Sequence, residues 1–490
     1  MSSIEGDGLE EQAEKTELIS KIAKFLPSVE KPLYKQGFNE RLKWTGTALL
    51  LYLALSYITV YGVSPTSYEQ FRFFEIVLGS KFGSIMTLGI GPIVTAGIIL
   101  QLLVGSKIIN WDMSKPDSRK KFQTWNKTLA ITFAFIESVA FVLAGALGPV
   151  TGGPLIILFV IMQLAMGGII VILLDEMVSK WGFGSGVSLF IAAGVGSQII
   201  IRAFSPLAAT CVPLQISTCI PSEGNPSAGL FWGFLSNLLS GNLIETVANF
   251  TPLLATIIVF LLVIYIQGIK VEVPLAFSAL RGFGRSWSLK LLYTSNIPVI
   301  LTAALLANVQ LMAHVGTMPT PDGLSCGAMG CFDQQGNPTG GIAYYLSAPR
   351  SLLTDIVTFS ITPSEVLRAF TYLAFLVIGS MVFAVFWVNT AGMDAKSIAE
   401  QIEGIGMQIP GYRRDPRIVE SVLNRYIPPL TVLGGLTVGL LAALGDFTGA
   451  IGTGTGILLT VMIIYNYYEE LSNQPLEDAH PFLRKLLGGK

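Results

Sequence analysis

The chain has 490 residues, of which 51% are hydrophobic and only 13% charged, with a formal net charge of −1. A soluble domain carries about 25% charged residues, so this composition excludes an ordinary soluble fold and points to lipid. The two histidines, His314 and His480, are far apart in sequence, which argues against a histidine metal site or general-base chemistry.

Residues 1–41 are polar, carry both signs of charge and show no secretory signal peptide. Within them Leu18, Ile22, Phe25 and Leu26 follow helical spacing with Lys21 and Lys24 between, which predicts an amphipathic helix at the cytoplasmic interface.

About 20 mostly apolar residues cross a bilayer as a helix. Ten segments qualify: Leu42–Tyr61, Met86–Val104, Thr128–Leu147, Pro154–Leu174, Val187–Phe204, Pro252–Gln267, Pro298–Met312, Leu367–Val388, Pro429–Leu444 and Ile451–Tyr468. Leu230–Leu239 is too short to span, and Ile342–Phe359 is interrupted by Pro349, Arg350 and Asp355. With both termini in the cytoplasm, all Lys and Arg fall inside except Arg72, Lys81, Arg202, Arg350 and Arg368. That is a strong positive-inside asymmetry. The expected division is a 42–204 half, an external loop 205–251, a 252–468 half with cytoplasmic loops 269–292 and 389–428, and a cytoplasmic tail 469–490. Five spans per half give the second half inverted orientation, a way of building a path between two halves.

Span 2 holds Gly89, Gly91, Pro92 and Gly97, which suit close packing or movement. Before it, Tyr68–Lys81 is part apolar and part charged; it reads either as a re-entrant helix or as a surface helix on the outer leaflet. Glu137 is the clearest ionisable residue within a span. It reads as an interhelical hydrogen-bonding group rather than a proton site, because no second acid or base accompanies it. So few intramembrane charges speak against an ion-coupled transporter, the competing class.

The cytoplasmic loops carry Arg281-Gly-Phe-Gly-Arg285, at the tip of an expected hairpin over Lys270–Lys290, and Pro410-Gly-Tyr-Arg-Arg-Asp415. Basic tips can bind RNA phosphates with salt-sensitive affinity; simple positive-inside anchoring is the other reading. Cys211, Cys219, Cys326 and Cys331 all lie in external loops. Local bridges Cys211–Cys219 and Cys326–Cys331 are expected, although four cysteines allow three pairings and four free thiols remain an alternative.

The run Leu88-Gly-Ile-Gly-Pro-Ile-Val-Thr-Ala-Gly97, continued by Gln101-Leu-Leu-Val-Gly105, resembles the second span of the SecY family in its archaeal and eukaryotic form. Gly184-Ser-Gly-Val-Ser-Leu-Phe-Ile191, Tyr293-Thr-Ser-Asn-Ile-Pro298 and the two basic loop motifs follow in family order. The external cysteine loops match no family motif. The resemblance implies an all-α membrane protein, two inverted five-helix halves around a central pore, with a re-entrant external plug helix. It implies a protein-conducting channel in the cell membrane that passes unfolded polypeptides and releases hydrophobic segments sideways into lipid. No enzymatic activity and no cofactor are implied. The implied partners are SecE, the archaeal beta subunit, the ribosome with its RNA, signal peptides, nascent polypeptides and membrane lipid.

Family roles fall on positions matching the motifs. The pore ring is Ile90, Val94, Val187, Ile191, Ile300 and Leu459, the last beside Ile457 and Leu458. Ile90–Val94 and Val187–Ile191 are each spaced i, i+4 and share a helix face. The plug positions are Tyr68, Phe71, Phe74, Ile76 and Leu78. The polar cluster at the sideways exit, between spans 2–3 and 7–8, is Thr95, Glu137 and Asn296. Arg281, Arg285, Arg413 and Arg414 resemble ribosome-docking positions.

Overall fold

The computed structural model describes residues 27–34, 36–63, 80–109, 111, 113, 115–143, 147, 153–208, 227–277, 284–294, 296–314, 317–320, 324–333, 337–349, 352, 361–404, 407–408 and 416–472. The expected N-terminal helix around Leu18–Leu26, the plug positions, Arg281, Arg413, Arg414, Cys211 and Cys219 lie outside them, as does the side chain of Arg285.

Every expected span contains a helix. They are α1 (Phe38–Ser56), α2 (Gly91–Gly105), α3 (Pro116–Leu143), α4 (Pro154–Trp181) and α5 (Gly186–Phe204), then, after a short helix α6 (Leu230–Leu239), α7 (Leu243–Gln267) and α8 (Ile297–His314). A four-residue turn α9 (Ile342–Tyr345) precedes α10 (Pro363–Thr390). Two short helices, α11 (Ala395–Gly404) and α12 (Pro416–Leu423), lead to α13 (Ile427–Phe447) and α14 (Gly454–Ser472). Seven of these (α3, α4, α5, α7, α8, α10 and α13) are long and apolar enough to cross a membrane on length and composition alone. Proline near the first position opens α2, α4, α10 and α13, where its missing N–H leaves no bond unmade. Thr362 and Glu365 add a capping box to α10.

Three boundaries differ from expectation. Residues 86–90, the expected start of span 2, form successive turns, and helix begins only at Gly91. Gly89 there adopts φ +50°, a left-handed conformation that interrupts a helix. Conversely, span 6 begins at Leu243 and runs through Pro252, which was read as its start. Of Ile342–Phe359, Ile342–Tyr345 forms a four-residue helix.

Leu230–Leu239 is helical, but at about 1.5 Å per residue its ten residues reach only half the hydrocarbon thickness. It turns back along the start of α7, with Asn237 Nδ2 donating to Glu245 at 3.4 Å. Trp232 Nε1 ties its first turn to the Phe204 carbonyl at the end of α5 (2.9 Å).

The spans pack around one continuous apolar cluster that includes residues of α1, α2, α4, α5, α7, α8, α10, α13 and α14. Small residues let backbones approach. A Cβ on Gly435 or Gly439 of α13 would stand 2.8 Å from the Ser380 or Leu376 carbonyl of α10.

Two sheets lie outside the helical body. In one, β1 (Lys270–Phe277) and β2 (Gly284–Lys290) form the expected hairpin. The second cytoplasmic loop then adds β7 (Met407–Gln408) to the distal end of β1, an arrangement the sequence did not disclose. In the other, β3 (Met318–Pro319), β4 (Ser325–Gly327), β5 (Gly330–Phe332) and β6 (Pro338–Gly341) form an antiparallel sheet. Cys326 and Cys331 face each other across β4 and β5 and are disulfide-bonded, the local pairing expected for them.

Candidate functional site

The six ring positions come from four helices. Ile90 ends the irregular lead into α2, and Val94 N–H donates to its carbonyl (3.1 Å), so the two side chains share a face. Val187 begins α5, where its N–H donates to Asp175 Oδ1 (2.8 Å), and Ile191 lies one turn on. Ile300 is in the first turn of α8 and Leu459 is in the second turn of α14. Ile90, Val94, Ile191, Ile300 and Leu459 are buried in the continuous apolar cluster, and half-buried Val187 packs against it. Ile457 and Leu458 are buried in the same cluster. Chemically these are uncharged aliphatic side chains, the kind that can gate a pore by dewetting.

The described residues on either side of 64–79, where the expected plug positions fall, are fastened to each other. Val60 N–H donates to the Gly83 carbonyl and Ile85 N–H to the Ile58 carbonyl, both at 2.9 Å. Chain that leaves α1 therefore returns to the mouth of α2.

The polar cluster is built differently from the sequence reading. Thr95 Oγ1 on α2 donates to Glu137 Oε1 on α3 (2.7 Å), as expected for a hydrogen-bonding glutamate. The third member is Asn308, whose Nδ2 donates to Thr95 Oγ1 at 3.1 Å. Asn296 is buried just before α8, with its carbonyl accepting from Ile300 N–H. Twelve residues along a helix is about 18 Å, so Asn296 and Asn308 cannot meet the same hydroxyl. Asn308 had a readable signal, an amide in the middle of an apolar span, which seeks a polar partner on a neighbouring helix. Replacing Asn308 with Leu is expected to weaken the closed contact between α2 and α8 by about 0.6–2 kcal/mol. Disulfide trapping across α2 and α8 in an otherwise cysteine-free background measures it, and an unchanged trapping rate would count against the bond.

A second buried polar group sits at the C-terminal end of α13. Asp446 Oδ2 accepts from Tyr372 of α10 and from the Thr455 hydroxyl of α14, each at 2.7 Å, and Oδ1 accepts from Thr455 N–H at 3.2 Å. Asp446 lies two residues beyond the expected end of span 9, so it was not counted as an intramembrane acid.

Residues 84–468 match the SecY family, and residues 50–83 match the family described as the plug domain of Sec61p. The chain belongs to the SecY family. The protein translocase subunit SecY of Pyrococcus furiosus is 44% identical to it over 96% of this chain and 99% of the relative. A solved structure described as a protein-conducting channel superposes with a TM-score of 0.78 at 41% identity, covering 95% of this chain and 99% of its own. Sec61 in the canine ribosome–channel complex from the endoplasmic reticulum gives 0.75 at 41% identity, with the same coverage. The chain is accordingly a multi-pass membrane protein of the protein-conducting channel class, and residues 50–83 place a plug domain between its first two spans.

Proposed function

We propose that this chain is the central pore-forming subunit of a Sec channel, passing unfolded polypeptides across the cell membrane and releasing hydrophobic segments sideways into lipid. The observation that carries this is that Ile90, Val94, Ile191, Ile300 and Leu459, with Val187 packed against them, all belong to the apolar core of the helical body, on elements of which α2 packs against α8 and α14 against α5 and α8. These side chains form the gasket around the moving chain. The plug positions Tyr68, Phe71, Phe74, Ile76 and Leu78 seal the external half, a role supported by the fastened ends of their segment. The sideways exit opens where α2 packs against α8 and α10, and the Thr95–Glu137–Asn308 bonds are the clasp that must break.

Both termini face the cytoplasm, and the halves 42–204 and 252–468 are inverted relative to each other. The working complex contains SecE and the archaeal beta subunit. The chain has no catalytic role of its own, and a translating ribosome supplies the driving force. Arg281, Arg285, Arg413 and Arg414 dock ribosomal RNA. The strand β7 supports this, because it draws the second basic loop alongside the hairpin.

The test is crosslinking from a stalled secretory chain to single cysteines at positions 90, 94, 187, 191 and 300. Contacts at these positions are expected in a competent complex; a stalled chain that reaches none of them sinks the pore assignment.

A further inference from the structure

The cytoplasmic hairpin is fastened at its root to the same helix that carries Leu459. Lys270 is the first residue of β1 and Lys290 the last of β2, and the two are register partners. Like charges directly opposite on antiparallel strands repel. Glu469 of α14 sits between them. Its Oε1 is 3.7 Å from Lys270 Nζ, and its Oε2 accepts from Lys290 Nζ. One carboxylate thus neutralises two lysines from the two ends of the hairpin. All three side chains are only 27–38% exposed, so their charges are partly withdrawn from water.

The contact continues up one face of α14. Lys290 Nζ stands 5.6 Å from the centre of the Tyr465 ring. Gln267, which ends α7 just before β1, donates to Asn466 Oδ1 at 3.3 Å and to the Met462 carbonyl at 3.5 Å. Glu469, Asn466 and Met462 are spaced by three and four residues, a single helical stripe, and its next member is Leu459. Ten residues of helix, about 15 Å, separate the carboxylate from the ring side chain. At its other end α14 is gripped by Asp446 through Thr455.

We propose that Glu469 is a positioning residue that couples the hairpin to the pore ring through α14. The proposal rests on the reading above, in which the hairpin tip meets the ribosome. A load applied at the tip tilts the hairpin about its root. The Lys270–Glu469–Lys290 cluster delivers that tilt to the cytoplasmic end of α14, and the stiff helix carries it to Leu459. An anchoring role alone would leave docking and opening equally affected; a coupling role separates them.

The test uses the full channel complex in proteoliposomes with ribosome–nascent chain complexes. Variants are Glu469→Lys, which sets three positive charges together, and the triple reversal Lys270→Glu, Lys290→Glu, Glu469→Lys, which restores the alternation. Ribosome affinity and the protease-protected fraction of nascent chain are measured on the same samples. Glu469→Lys is expected to leave ribosome affinity within about twofold while cutting the protected fraction by about fivefold or more, with recovery in the triple reversal. Wild-type protection in Glu469→Lys overturns the coupling. So does a fall in affinity that accounts for the whole loss, or a loss that the triple reversal leaves in place; in each of these the docking reading stands. Absence of salt-sensitive ribosome binding by the unsubstituted channel removes the input itself, and both readings then fall.

Discussion

Replacing Ile90 and Val94 with glycine raises the resting ion leak of the reconstituted channel by at least about tenfold, because the seal depends on a constriction too apolar to stay wet. Both side chains are buried in the cluster that also takes in Ile191, Ile300 and Leu459. Glycine removes both aliphatic groups, and the space freed admits several waters at about 30 Å³ each. It also weakens α2 by about 1 kcal/mol per position, although Ile90 precedes the helix proper and feels less of this. A volume-conserving swap, Ile90→Val with Val94→Ile, separates the seal from simple misfolding, since such changes cost less than about 1.5 kcal/mol. Planar-bilayer conductance is the readout. A glycine double variant that elutes as a folded complex and conducts like the parent would remove these two residues from the gasket.

Replacing Asp446 with alanine gives the second large effect, this time on the stability of the folded channel. The carboxylate accepts from the Tyr372 hydroxyl, the Thr455 hydroxyl and Thr455 N–H. Tyr372 and Thr455 are almost wholly buried, at 1% and 2% exposure, so water does not replace the lost acceptor. At about 1 kcal/mol for each deserted donor the loss is about 3 kcal/mol. The turn between α13 and α14 has no slack to absorb it, because a Cβ on Gly454 would lie 2.0 Å from the Gly445 carbonyl carbon. Asp446→Asn retains one acceptor oxygen and should lose less. Thermal unfolding in detergent measures both. A midpoint for Asp446→Ala equal to that of the parent would show that the network contributes nothing. Thr455 is one turn before Leu459, so the alanine variant should also leak, which links this cluster to the ring.

Much of the architecture was readable from composition and spacing. A bilayer imposes length and apolarity on any spanning helix, and the basic residues report which side each loop faces. That was enough for ten spans, for the hairpin over Lys270–Lys290 and for a local Cys326–Cys331 pairing. The ordered motifs then carried the family and the ring positions. Helix ends were less legible. Pro252 is the expected start of span 6, and proline has no N–H to donate to the helix ladder, yet the helix continues through it. Gly89 was read as helical because its neighbours are apolar, yet its positive φ holds the preceding segment in turns.

What only the tertiary structure decided is which polar groups meet. Asn308 rather than Asn296 reaches Thr95, Asp446 ties three spans together, β7 joins the hairpin from more than a hundred residues away, and Glu469 gathers two lysines. The reason is physical. In a soluble helix the apolar stripe marks the buried face, but a membrane helix is apolar all round, so periodicity does not say which side faces a neighbour. The amino-acid sequence determined which segments are apolar and long enough to form the helical body, and in what order they follow. The packing of the spans, through close contacts such as Gly435 and Gly439 against α10, determined the rotation of each helix and therefore the partner of each polar side chain.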